Sequence, residues 1–131
     1  MDIPNLELQE AFGKVIYAVA KIDGEVQQVE VDVFREVIAN HEWAQRVTLS
    51  FDKEYKLDRN ANIVFLKAMK IFRFNGQSEH YPFFIDLLEQ IALAHDGVVP
   101  EERRMIERFK QGLLAGINSV SKKTDHLSQN E

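Results

Sequence analysis

Cysteine is absent from the 131-residue chain. Disulfide frameworks, thiolate zinc sites, iron–sulfur clusters and cysteine nucleophiles are therefore excluded. An excess of positive charge is missing too: 16 Lys and Arg face 21 Asp and Glu, for a formal charge of −5. That balance argues against nucleic acid or an anionic membrane as the main partner. No apolar run approaches 18 residues, so nothing reads as a bilayer-spanning helix. No basic-plus-apolar leader follows Met1, and a cytoplasmic soluble protein is the expectation. What the chain does have is 45% hydrophobic and 28% charged residues, the balance of one globular domain that needs no covalent or metal staple.

Apolar residues recur at three- and four-residue steps along most of the sequence. Leu8, Phe12, Val15, Ile16, Val19 and Ala20 line one face of a first helix, with Asn5 as N-cap and Asp23-Gly24 as its end. A second helix is predicted from about Gln28 to Trp43, with Val29, Val33, Phe34, Val37 and Ile38 inward. Val29–Val33 also alternates with period two, but its continuation favours helix. Residues 44–60 are the least legible, fitting either a short helix or an ordered loop. Asp58 is the expected N-cap of a helix carrying Phe65, Leu66, Met69 and Phe72, ended by Asn75-Gly76. Phe84, Leu87, Leu88, Ile91 and His95 share a face of the next helix. Pro100 opens the last one, with Glu101 and Glu102 at its positive end and Met105, Ile106, Phe109, Leu113, Ile117 and Val120 inward. The expected fold class is all-α, a compact helical bundle over residues 1–120, with 121–131 a disordered tail.

Self-comparison aligns Ala20–Val26 with Leu93–Val99 at an offset of 73 residues. In both stretches a helix rich in small residues reaches Asp-Gly (Asp23-Gly24, Asp96-Gly97). A valine follows two residues past the glycine (Val26, Val99), and then an acid-rich helix begins. Glycine takes a positive φ at little cost, the valine plugs the corner, and the acids meet the next helix's positive end. Two helical hairpins about a pseudo-twofold axis are the expected arrangement, with Gly24, Val26, Gly97 and Val99 as structural corners.

These corners resemble the tellurite-resistance TerB-like domain family, related to the N-terminal domain of a membrane-anchored DnaJ-like co-chaperone. Asp23, Gly24, Val26 and Glu30 match its pattern. The second copy matches at Asp96, Gly97 and Val99 but has Arg103 where Glu30 stands in the first, with Glu101 and Glu102 displaced towards the corner. The resemblance implies an all-helical fold and an association with tellurite, phage or envelope stress, and it carries no catalytic role.

The residues also resemble half of a calcium loop. Asp23, Gly24, Val26 and Glu30 have the spacing of the second part of an EF-hand, but its first and third ligands would fall on Val19 and Lys21. An ordinary EF-hand is excluded. A weaker divalent site needs Asp23, Glu30 and Asp96 to converge across the two hairpins, and helix capping is the more economical role for them. His41, His80, His95 and His126 lack metal-ligand spacing, and no phosphate loop or nucleophile elbow occurs. Lys67, Lys70 and Arg73 share a helix face, Arg103, Arg104, Arg108 and Lys110 cluster on another helix, and Gly112 and Gly116 stand four apart. Phe72, Phe74, Tyr81, Phe83 and Phe84 concentrate aromatics near the Asn75-Gly76 turn, where an exposed member would mark a contact surface.

The expected function is a non-enzymatic binding or scaffold module with a protein partner. No cofactor, nucleic acid or membrane insertion is expected, and self-association is left open. A divalent-metal-responsive protein is the alternative. An acid-catalysed hydrolase, third, rests only on the abundance of carboxylates.

Overall fold

Among the described residues of the computed structural model six helices account for the regular structure: α1 (Leu6–Lys21), α2 (Gln28–Ile38), α3 (Ala44–Leu57), α4 (Ala61–Asn75), α5 (Tyr81–Leu93) and α6 (Pro100–Gln129). The structure describes residues 4–76, 78–93 and 99–129, with side chains as far as Leu114. His95, Asp96 and Gly97 lie outside the described residues, as do the side chains of Ile117 and Val120. No strand occurs among the described residues, and Val29–Val33 is helical. None of the helices is long and apolar enough, over the described residues, to cross a membrane.

Helix α1 is the centre of the bundle. Both Ala11 and Phe12, and both Val15 and Ala18, are buried on it, which is the all-round burial of a helix surrounded by others. It packs against α3 and α4, and more lightly against α5 and α6. Phe12 stacks on Phe84 of α5 with ring centroids 4.3 Å apart. Gly13 allows the α1–α3 crossing: a Cβ there would lie 2.7 Å from Ser50 Cβ and 3.1 Å from the Phe51 nitrogen. Ser50 Oγ donates to the Glu10 carbonyl at 2.7 Å beside this crossing. The buried Glu54 carboxylate of α3 accepts from Lys14 Nζ of α1 at 2.7 Å, so the charge it carries into the bundle is met there.

Asn5 caps α1 as expected, its Oδ1 accepting from the Leu8 N–H at 2.8 Å. Gly76 closes α4 at φ +72, its N–H donating to the Phe72 and Arg73 carbonyls. Three local expectations are corrected. Helix α2 stops at Ile38 rather than Trp43. Trp43 is five residues past Ile38, about 140° round an ideal helix, so continuing would turn the indole away from the core. The turn instead buries it, edge-on to Phe83 and Phe84. Residues 44–57 form one full helix, α3. Asp58 is the C-cap of α3 in the left-handed region, φ 51, and Asn60 caps α4 by accepting from the Ile63 N–H at 3.1 Å. Both residue types cap helices and tolerate left-handed backbone, and Lys21 Nζ holds the Asp58 carboxylate at 2.7 Å. Two residues expected inward face solvent: Val29 on α2 and Leu66 on α4 are each about half exposed.

Candidate functional site

The α1–α2 corner is built as its sequence requires. Helix α1 ends at Lys21, the Gly24 N–H donates to the Lys21 carbonyl at 2.7 Å, and Gly24 takes φ +106. The Asp23 carboxylate accepts from the Glu25 N–H at 3.3 Å, and Asp23 is exposed. Val26 is partly buried against the core. At the second corner Val99 is partly buried and Pro100 opens α6.

The two corners differ by one residue, and the difference decides which acids meet. Gln28 opens α2 and Pro100 opens α6, 72 residues apart, whereas the Asp-Gly dipeptides are 73 apart. The second connection is shorter by one residue after its glycine. Glu30 is therefore matched not by Arg103 but by Glu102: each is the third residue of its helix. Both are buried, Glu30 at 1% exposure and Glu102 at 0%. Arg103 points elsewhere, to Glu89 at 3.7 Å and Glu107 at 3.6 Å. The missed residue was Glu102, and the signal that finds it is position counted from the helix start rather than from Asp-Gly.

The Glu30 and Glu102 carboxyl groups lie close enough to act on each other electrostatically. Burial raises the Glu30 carboxyl most, and the neighbouring Glu102 carboxyl and the Asp23 charge add to it. The backbone at Gln27 works in the opposite direction. The outcome is a carboxyl pushed up to about 9, so the pair holds a shared proton at neutral pH. As a metal centre, the described part supplies two facing carboxylates with Asp23 beside them. Among the described residues no group of three or more His, Asp or Glu side chains gathers round one point. Calcium takes six to eight oxygens. Glu30 and Glu102 line neither of the two cavities found among the described residues.

A second feature lies on the far helices. Phe72, Tyr81 and Phe84 of the aromatic group are buried, but Phe74 is 86% exposed. Leu66 and Ile63, one and two turns back from Lys70 on α4, are about half exposed. Gly112 has an internal use here: a Cβ on it would collide with the Met69 methyl, so the glycine lets α6 close on α4. Beside that contact an open groove of about 340 Å³ runs between the two helices.

No family model, no curated protein and no solved structure matches the chain.

Proposed function

We propose that this chain is a non-enzymatic binding module that engages a protein partner through the outer face of α4. One observation carries the reading: Ile63, Leu66 and Phe74, all about half exposed or more, fall at helical steps on one face of α4. Apolar side chains gathered on one face mark an interaction site more often than scattered ones do. The TerB-like resemblance of the corner residues supports a place in a tellurite, phage or envelope stress response, in the cytoplasm. The test is a random peptide library displayed on phage and selected against the protein, with counter-selection on a Leu66→Ser/Phe74→Ser variant. A set of peptides held by the parent chain and lost by the variant is expected. No such set would sink the reading.

A divalent-metal-responsive role is the second reading, and Glu30 facing Glu102 favours it. Two buried carboxylates that repel when ionised are what a cation would bring to rest. Asp23 and Asp96 would complete the set from the two corners.

A further inference from the structure

Helix α4 is electrically out of character with the rest of the chain. It carries Lys67, Lys70 and Arg73 and no acid, within a protein of net charge −5. Elsewhere most cations are matched, Lys14 with Glu54, Lys21 with Asp58, Arg35 with Asp52 and Lys110 with Glu89, although Lys53 and Lys56 of α3 make no ion pair among the described residues. Among the described residues Lys67, Lys70 and Arg73 make no ion pair. Neither does Arg108 of α6, whose guanidinium lies 4.8 Å from the centre of the Phe65 ring. The groove between the helices thus has Arg73 on one wall and Arg108 on the other, with Leu66 and Met69 between them. Solvated cations placed around an apolar floor, in an otherwise acidic protein, form a complement to one kind of ligand.

We propose that the α4–α6 groove receives an acidic amphipathic segment of a partner protein, its apolar side chains over Leu66 and Met69 and its carboxylates at Lys70, Arg73 and Arg108. The proposal rests on the binding-module reading and adds the chemistry of the partner. Its dimensions suit a helix: on α4 the lining runs from Phe65 to Arg73, eight steps along the helix, about 12 Å or a little over two turns. Charge complementarity selects acidic segments and raises the encounter rate, while the apolar floor supplies the burial. A polyanion such as nucleic acid would meet the long-range repulsion of net charge −5 and gain nothing at Leu66 or Met69. A bilayer would meet that repulsion as well, and a flat surface cannot enter a groove.

The test uses three fluorescein-labelled synthetic helical peptides of 16 residues, read by anisotropy. The first has leucines at i, i+3, i+4 and i+7 with glutamates on the flanks. The second replaces glutamate by lysine, and the third replaces leucine by serine. The first should bind at least ~10-fold more tightly than either control, weaken as salt rises, and lose ~10-fold or more against Lys70→Glu/Arg73→Glu with an unchanged melting curve. Lys53→Glu/Lys56→Glu, both exposed on α3, makes the same change in net charge and should leave binding unchanged. Equal binding of the lysine peptide, or indifference to Lys70→Glu/Arg73→Glu, would overturn the proposal. So would capture of phosphatidylserine–phosphatidylcholine vesicles that depends on the same two cations. The phage selection separates this failure from that of the broader reading. Neutral or basic peptides that need Leu66 and Phe74 would leave a binding module with a different partner, whereas no selected peptides at all would remove both.

Discussion

Glu30 and Glu102 each stand at the third position of a helix, and they bury their carboxyl groups side by side between the two corners of the bundle. An N-terminal turn is normally a favourable place for one carboxylate, because the helix presents unsatisfied N–H groups there. Two such turns brought together give each acid a helix to serve and a like charge to avoid. Sharing one proton resolves the conflict, and it makes the junction of α2 and α6 sensitive to pH.

The sign of that sensitivity follows from proton counting. The Glu30 carboxyl sits near 4.5 in the unfolded chain and near 9 in the folded one, so between those values the native state holds the extra proton. Its contribution to stability is complete below about pH 4.5 and is lost as pH rises towards 9, with a limiting slope of about 1.4 kcal/mol per pH unit. Urea denaturation between pH 5.5 and 9 should therefore show stability falling with pH. Glu30→Gln, a neutral carboxamide in the place of a neutral acid, should flatten the profile and leave the variant more stable than the parent chain at pH 9. A parent profile that rises over this range would refute the shared proton.

Gly13 fixes how closely α1 and α3 cross. Alanine there would gain helix propensity, but its methyl would meet the Val47 carbonyl and Ser50 Cβ, backbone and a short side chain with nowhere to go. Gly13→Ala should cost about 1–3 kcal/mol by overpacking. Gly112→Ala is the contrast, since its methyl meets only the flexible tip of Met69, and it should cost less. Paired urea melts of the two variants check the order.

How far this was legible in the sequence depended on whether a signal was local. Asn5, Gly24, Gly76 and Pro100 act within a few residues of themselves, and each does what its chemistry dictates. The end of α2 was not legible, because Trp43 is decided by Phe83 and Phe84, forty residues on. Asp58 and Asn60 offered two caps of similar quality, and only the ion pair from Lys21 to Asp58 separates their roles. At the corners the repeat was visible, but a one-residue deletion moved the matching acid from the aligned position to its neighbour. Leu66 keeps the spacing of a core residue and is exposed, since α4 turns that edge towards the groove.

Gly24 is a local signal that can be tested by itself. At φ +106, with open space around a would-be Cβ, the only obstacle to a side chain is the backbone conformation. Gly24→Ala should cost about 1–2 kcal/mol, and Gly24→Asn should recover part of it, because asparagine tolerates left-handed backbone. Equal stability of all three in urea would mean that the corner reshapes without strain.

Metal is where the two functional readings part. If the corner acids serve as caps and a proton-sharing pair, millimolar calcium or magnesium should leave the melting temperature where sodium chloride of equal ionic strength leaves it. That is the expected outcome at pH 7, where a cation must first displace the shared proton. At pH 9 the displacement is nearly free, so the measurement there is the more demanding one. A site with ligand at 100 times its dissociation constant adds about 2.7 kcal/mol, worth several degrees in a domain of this length. A rise of that size at pH 9, absent at equal ionic strength in sodium and removed by both Glu30→Gln and Glu102→Gln, would move the metal-responsive reading to first place. Asp23→Asn and Asp96→Asn would then tell whether one shared site spans the two corners, in which case each substitution alone abolishes the rise, or whether the carboxyl pair binds without them.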